Sequence, residues 1–189
     1  MISGKLITLY WIIFLLYWKL SAQNVKPTKE MKQSFTKGWL WAGRIFFIAL
    51  FIISFSGAIP FLSNELFLVS NSFIFASSVT VFIGLVIAII ARNTLSKNWS
   101  GNIEIKKNHE LITSGVYGII RNPIYTGIIT MCTGTFLAAR NLASLLFLIF
   151  MTIFCIYKLK EEEKLLQKHF PKTYPSYKKK VKSLIPFMY

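Results

Sequence analysis

Aspartate is absent from this chain of 189 residues, and all seven of its acidic residues are glutamates. With two histidines and two cysteines, the side chains able to hold metals or run acid–base chemistry are few. Cys132 and Cys155 both lie in apolar runs, where they read as small buried hydrophobes, and nothing indicates a disulfide framework or a metal cluster. His109-Glu110 lacks the second histidine of a zinc-protease helix, and no soluble-type glycine-rich nucleotide loop occurs. Charge is scarce as well: 15% of residues are charged against 54% apolar, a balance outside that of ordinary soluble domains.

What the chain does have is long uncharged sequence. Ile45–Asn64 and Phe73–Ala91 carry no charge, and Ile124–Tyr157 is broken only by a basic turn. A helix rises about 1.5 Å per residue, so roughly 20 residues cross a hydrocarbon core of about 30 Å. The expected fold class is therefore all-α: a polytopic membrane protein with about five transmembrane helices. These run over Leu6–Trp18, Trp39–Pro60 and Ser72–Arg92, followed by a C-terminal helical hairpin. The hairpin arms are Ile124–Ala139 and Leu142–Tyr157, joined at Arg140-Asn141. For the first segment a cleaved signal peptide is the alternative. Its stronger positive charge follows the segment (Lys19, Lys26, Lys29), which favours a retained helix.

The net charge of +15 flanks the apolar segments instead of covering a soluble face. That pattern fits cytosolic loops beside anionic lipid and argues against a nucleic-acid partner. Lysine and arginine fill the loops after the first and third helices and the tail, which places the N-terminus outside and the C-terminus in the cytosol. The organisation is a single membrane domain over residues 1–189. Residues 1–92 hold three helices, and residues 93–189 hold the polar motif, the hairpin and a basic tail. In the tail, Leu166, Phe170, Tyr174, Tyr177, Val181 and Leu184 recur at three- and four-residue steps, interrupted by Pro171 and Pro175. A broken amphipathic element lying on the membrane surface is expected there.

The polar motif is His109-x-Leu111-x-x-x-Gly115-x-Tyr117-x-x-x-Arg121-Asn122-Pro123-x-Tyr125-x-Gly127, set between apolar segments. Asn122-Pro123 reads as a helix start, with Asn as cap and Pro in the first turn. Arg121 then sits at the membrane boundary. Taken singly, each residue has a structural reading: a snorkelling arginine, interfacial tyrosines at 117 and 125, turn or packing glycines at 115, 118 and 127.

Taken together, the run resembles the cofactor motif of isoprenylcysteine carboxyl methyltransferases and of the wider group of small membrane methyltransferases that includes phospholipid methyltransferases. A second block resembles the same family: Glu162-Glu163-Lys-Leu-Leu166-x-x-x-Phe170-x-x-x-Tyr174-x-x-Tyr177-x-x-x-Val181, ending Leu184-Ile185-Pro186. The resemblance covers about residues 108–186. Asn122 stands where the carboxyl methyltransferases usually have His, Val116 where Pro is common, and Pro171 where Gly is frequent.

The resemblance implies a cytosolic pocket for S-adenosyl-L-methionine. His109, Leu111, Gly115 and Tyr117 would line it, and Asn122, Pro123 and Tyr125 would complete it. Arg121 with Glu162 or Glu163 would form its catalytic polar core. No metal is implied. The sulfonium cation of the donor suits tyrosine faces and carboxylates, and its amine and carboxylate suit a glutamate and an arginine. The implied partners are the lipid bilayer and a lipophilic or prenylated acceptor. The departures at 116, 122 and 171 leave the acceptor open between a carboxylate, a phospholipid or other amine, and a thiol. From another class, a non-enzymatic membrane protein or transporter subunit would require a charge along an intramembrane pathway. The third helix carries none.

Overall fold

The computed structural model describes residues 2–31 and 37–186. The chain is mostly helical: α1 (Ile2–Ser21), α2 (Lys37–Ser56), the single turn α3 (Pro60–Ser63), α4 (Asn71–Leu95), α5 (Pro123–Ala139), α6 (Leu142–His169) and the short α7 (Tyr174–Lys180). Among the described residues, two stretches are long and apolar enough to cross a membrane, Asn71–Asn98 and Leu142–His169. The outward faces are apolar: Leu15, Ile48, Phe75, Ile83 and Ile153 are exposed on α1, α2, α4 and α6, as expected where the surrounding solvent is hydrocarbon.

The core joins all five long helices. Ile7, Trp11 and Phe14 of α1 pack with Leu50 of α2, Val81, Leu85 and Ala88 of α4, Met131 and Cys132 of α5, and Phe147 of α6. Inside it, the Trp11 indole donates to the Thr135 hydroxyl (3.1 Å), which in turn donates to the Met131 carbonyl (2.9 Å). Both cysteines are free and buried.

α4 and α5 meet backbone to backbone. A Cβ added at Gly84 would lie 2.6 Å from the Gly127 carbonyl oxygen, and one at Gly134 would lie 2.7 Å from that of Ser77. In lipid, where no hydrophobic force drives helices together, such close approach supplies the dispersion contacts that hold them. Gly127 is therefore a packing glycine.

The hairpin turns at Arg140, which adopts the left-handed conformation (φ 55°). Asn141 then caps α6: its side-chain oxygen accepts from the Ser144 amide (3.0 Å), and the Ser144 hydroxyl accepts from the Asn141 amide. α6 continues well past the apolar arm expected to end at Tyr157, reaching His169, where Phe170-Pro171 stops it. Its last turns carry Glu161–Glu163 and pack Leu165 against Ile103 and Ile105.

Two features depart from the expected architecture. A small antiparallel sheet pairs β1 (Thr28–Met31) with β2 (Glu104–Lys106). It ties the linker after α1 to the polar segment after α4. At its centre Glu104 accepts from Lys106 (2.6 Å), Ser100 (2.5 Å) and Thr28 (3.0 Å). Burial pushes the Glu104 carboxyl up, but these donors outweigh it and hold the group below its ordinary range. The tail, secondly, does not simply lie along a surface. It folds back so that Tyr174, Val181 and Leu184 are buried while Lys178–Lys180 stay exposed.

Candidate functional site

Where the polar segment, the start of α5, the extension of α6 and the tail converge, they enclose a cavity of about 660 Å³. Of the motif residues, His109, Leu111, Tyr117, Arg121, Asn122 and Tyr125 line it, and so does Glu162 from α6. Tyr174 and Tyr177 of the tail face the same space. Its inner wall is apolar, built by Ile124 and Ile128 of α5 and by Met151, Phe154 and Cys155 of α6. Its outer wall is polar and includes Asn98, Ser100 and Glu104. The cavity therefore runs from a polar mouth to an apolar slot between the hairpin arms.

The adjacent glutamates divide their work by helical geometry, since neighbours on a helix point about 100° apart. Glu162 turns into the cavity, where its carboxylate accepts from the Tyr125 hydroxyl (2.7 Å) and lies 3.9 Å from the Lys158 ammonium. Glu163 lies behind the lining, buried, and collects donors. Its Oε1 accepts from Arg121 Nε (3.1 Å) and Nη2 (3.0 Å), from Asn122 Nδ2 (2.9 Å) and from the Ser183 hydroxyl (3.3 Å). Its Oε2 lies 3.2 Å from the Lys178 ammonium.

Asn122 departs from the expected capping role. It stands immediately before Pro123, but its side chain makes no cap bond. The amide donates instead to Glu163 and to Ser183 Oγ (2.9 Å). A buried carboxylate needs hydrogen bonds more than a helix start already shaped by proline needs a cap. Three motif residues do not line the cavity, Gly115, Pro123 and Gly127, the last packed against α4. Gly115 opens the 3₁₀ turn Gly115–Gly118 with φ 59°, a conformation that disfavours a Cβ, and Pro123 is buried at the first turn of α5.

Electrostatics separate the aromatic and imidazole groups. Burial, together with the cations of Lys26 and Lys106 and the neighbouring His169, lowers the His109 pKa to about 4, so its ring is neutral. Its Nδ1 accepts from the Lys106 amide (3.3 Å). Burial raises Tyr117 well above its ordinary value, helped by the charge of Glu162. Tyr177 is pushed up to about 12 by burial. Its hydroxyl donates to the Tyr117 carbonyl (2.6 Å), joining tail to motif. These tyrosines are neutral aromatic faces and hydrogen-bond donors.

Sequence patterns did not mark Trp18, Trp99 or Glu104 as part of this site. Trp99 lies beneath the Arg92 guanidinium (4.4 Å to the ring centre) and edge-on to Trp18. The clue was a tryptophan and a glutamate in an otherwise small and polar stretch, with nothing in their spacing to point at a partner near residue 18.

Residues 72–173 match the phospholipid methyltransferase family. That match begins with α4, well before the motif block that carries the resemblance in sequence. Over 113 residues the chain is 34% identical to a probable protein-S-isoprenylcysteine O-methyltransferase of Oryza sativa, covering 58% of this chain and 59% of that protein. It is 35% identical over 111 residues to the protein-S-isoprenylcysteine O-methyltransferase of Saccharomyces cerevisiae, covering 57% and 46%. The chain thus spans about half the length of these relatives. Its fold is similar to a solved structure of the eukaryotic intramembrane Ras methyltransferase ICMT (isoprenylcysteine carboxyl methyltransferase). The TM-score is 0.58 at 23% identity, over 82% of this chain and 54% of that one.

Proposed function

The chain belongs to the phospholipid methyltransferase family, and from that membership we propose that it is an integral membrane methyltransferase. It uses S-adenosyl-L-methionine to methylate a lipophilic acceptor, in the manner of isoprenylcysteine carboxyl O-methyltransferases. The observation that carries this reading is the cavity itself. One end is polar and holds the Glu162 carboxylate; the other is an apolar slot between membrane helices.

The residues fit the donor. The volume of about 660 Å³ lies in the range of small-ligand sites. Glu162 suits the amine of the donor, and the neutral rings of Tyr117, Tyr125, Tyr174 and Tyr177 suit a cation. His109, Leu111 and Asn122 complete the wall, with Gly115 and Pro123 shaping the backbone behind it. The donor, when bound, supplies a methyl group on a sulfonium cation.

The chain contributes alignment and water exclusion. Ile128, Met151 and Phe154 accept the lipid part of the acceptor, which arrives laterally between α5 and α6. Its reactive head is thereby delivered to the polar end in a poorly hydrated site, where positioning and desolvation lower the barrier. A carboxylate or thiolate needs no proton removed; an amine acceptor would need a nearby carboxylate as base. Arg121 and Glu163 keep the wall in place beside the reacting groups. All five long helices span the bilayer in this reading, as one domain over 1–189. The N-terminus lies outside, and the site and C-terminus face the cytosol.

The test is saturable binding of S-adenosyl-L-methionine to the protein in nanodiscs, with Glu162→Gln as comparison. Wild type binds and Glu162→Gln weakens binding by at least about tenfold, which is 1.4 kcal/mol. No saturable binding to wild type overturns the proposal. Labelled methyl transfer to a panel of prenylcysteines, phosphatidylethanolamine and lipophilic thiols then identifies the acceptor. A base-labile product is an ester, and a base-stable one is the N- or S-methylated alternative.

A further inference from the structure

Arg121 is the motif residue most readily cast as an anion binder, but its bonds point elsewhere. A guanidinium has five N–H groups. Nε and Nη2 each donate to Glu163, and Nη1 donates to two backbone carbonyls of the tail, those of Lys178 and Val181. Its own amide donates to the Lys182 carbonyl (2.8 Å), the next amide donates to that of Ser183 (3.0 Å), and Thr126 Oγ1 donates to that of Leu184 (2.8 Å). The side chain is 8% exposed and its partner Glu163 is 9% exposed. Little donor capacity remains for a ligand.

Resting on the methyltransferase reading, we infer that Arg121 and Glu163 are positioning residues: a bracket that docks residues 174–186 onto α5 and thereby brings Tyr174 and Tyr177 into the cavity wall. The planar fork is what the arrangement uses. One edge meets a carboxylate on α6 while the other meets two carbonyls that a single ammonium could not reach in the same geometry. Asn122 and Ser183 share the same Glu163 oxygen, so three segments distant in sequence are fastened at one atom. Tyr177 then closes against the Tyr117 carbonyl, which makes the tail a wall of the donor site.

A bracket and an anion-binding arginine make opposite predictions. Hydrogen exchange of residues 174–186 is measured on the full chain in nanodiscs for wild type, Arg121→Lys, Arg121→Met and the milder Thr126→Val. Affinities for S-adenosylhomocysteine and methylthioadenosine, which lacks the amino-acid carboxylate, are measured alongside. If Arg121 is a bracket, both Arg121 variants speed tail exchange at least about tenfold while α4 and α5 amides stay protected. Both ligands then weaken by the same factor, and Thr126→Val gives a smaller effect in the same direction. The inference is overturned if the tail keeps wild-type protection, or if only S-adenosylhomocysteine weakens. If an Arg121 variant does not fold, Thr126→Val decides by the same two readouts. Failure of wild type to bind either ligand counts against the methyltransferase reading, and tail exchange still judges the bracket.

Discussion

The dipeptide Arg-Asn occurs at both ends of α5, and the two copies do different things. At one end Arg140-Asn141 builds a corner. Asn141 caps its own helix three residues on and donates to the Ser54 carbonyl (2.7 Å), while Arg140 pairs with the half-exposed Glu65. At the other end Arg121-Asn122 makes neither a cap nor a local turn. Its side chains go to Glu163 and to the tail, 41 and 60 residues away. Identical residues at identical helix boundaries take their roles from what lies within reach. The Arg140 corner uses a partner three residues on and partners that precede it in the chain, Ser54 and Glu65, whereas Arg121-Asn122 depends on partners that all follow it.

The sharpest way to break this contrast is to delete the acid at each end. Glu163→Ala strands the Arg121 guanidinium in a buried place, and loss of one member of such a pair costs about 3–5 kcal/mol. Unfolding in nanodiscs should show that loss together with a collapse of methyl transfer. Glu65→Ala removes a half-exposed carboxylate from an Arg140 whose side chain is itself 10% exposed; it should cost less than Glu163→Ala, because only one end of that pair is desolvated, and should leave transfer intact.

A smaller effect comes from adding a methyl group along α5. Gly127→Ala and Gly134→Ala each force a Cβ onto the α4 backbone, and each should lose about 1–3 kcal/mol. Gly127 lies near the cavity end, so only Gly127→Ala should also raise the donor KM. Equal kinetic effects would erase the distinction between the ends.

Smaller again is the cap. Asn141→Ala should cost about 0.5–2 kcal/mol in thermal unfolding with kcat and KM unchanged, whereas Asn122→Ala should lower activity.

A further effect is one of pH. The native His109 pKa of about 4 lies below its ordinary 6.5, so the unfolded chain takes up the proton first. Stability therefore falls as pH drops from about 6.5 to about 4 and loses nothing more from this group below that. Unfolding midpoints across this window should fall less steeply for His109→Gln.

The same contrast explains what could be read from the chain. The long helices and the hairpin turn were legible because their signals are local: uncharged runs, flanking bases, and the polar Arg140-Asn141 between two apolar arms. The two blocks of the site were legible as a family pattern. Asn122 read as a cap because Asn-Pro is a cap signal, and nothing nearby announces that Glu163 will claim its amide. The pairing of Thr28–Met31 with Glu104–Lys106 and the placement of Trp18 and Trp99 depend on tertiary contacts that leave no periodicity. The tail stripe was visible, but its apolar residues could not by themselves distinguish a bilayer surface from the protein's own flank.

The wide sequence separation of the Arg121 contacts has a consequence during synthesis. The Arg140 corner can close almost as soon as it is made, because Asn141 needs only Ser144. Arg121 must wait for Val181, 60 residues later. At about 5–20 residues per second, that is a delay of roughly 3–12 s. The growing chain can pair its helices while the cavity between them is still missing a wall.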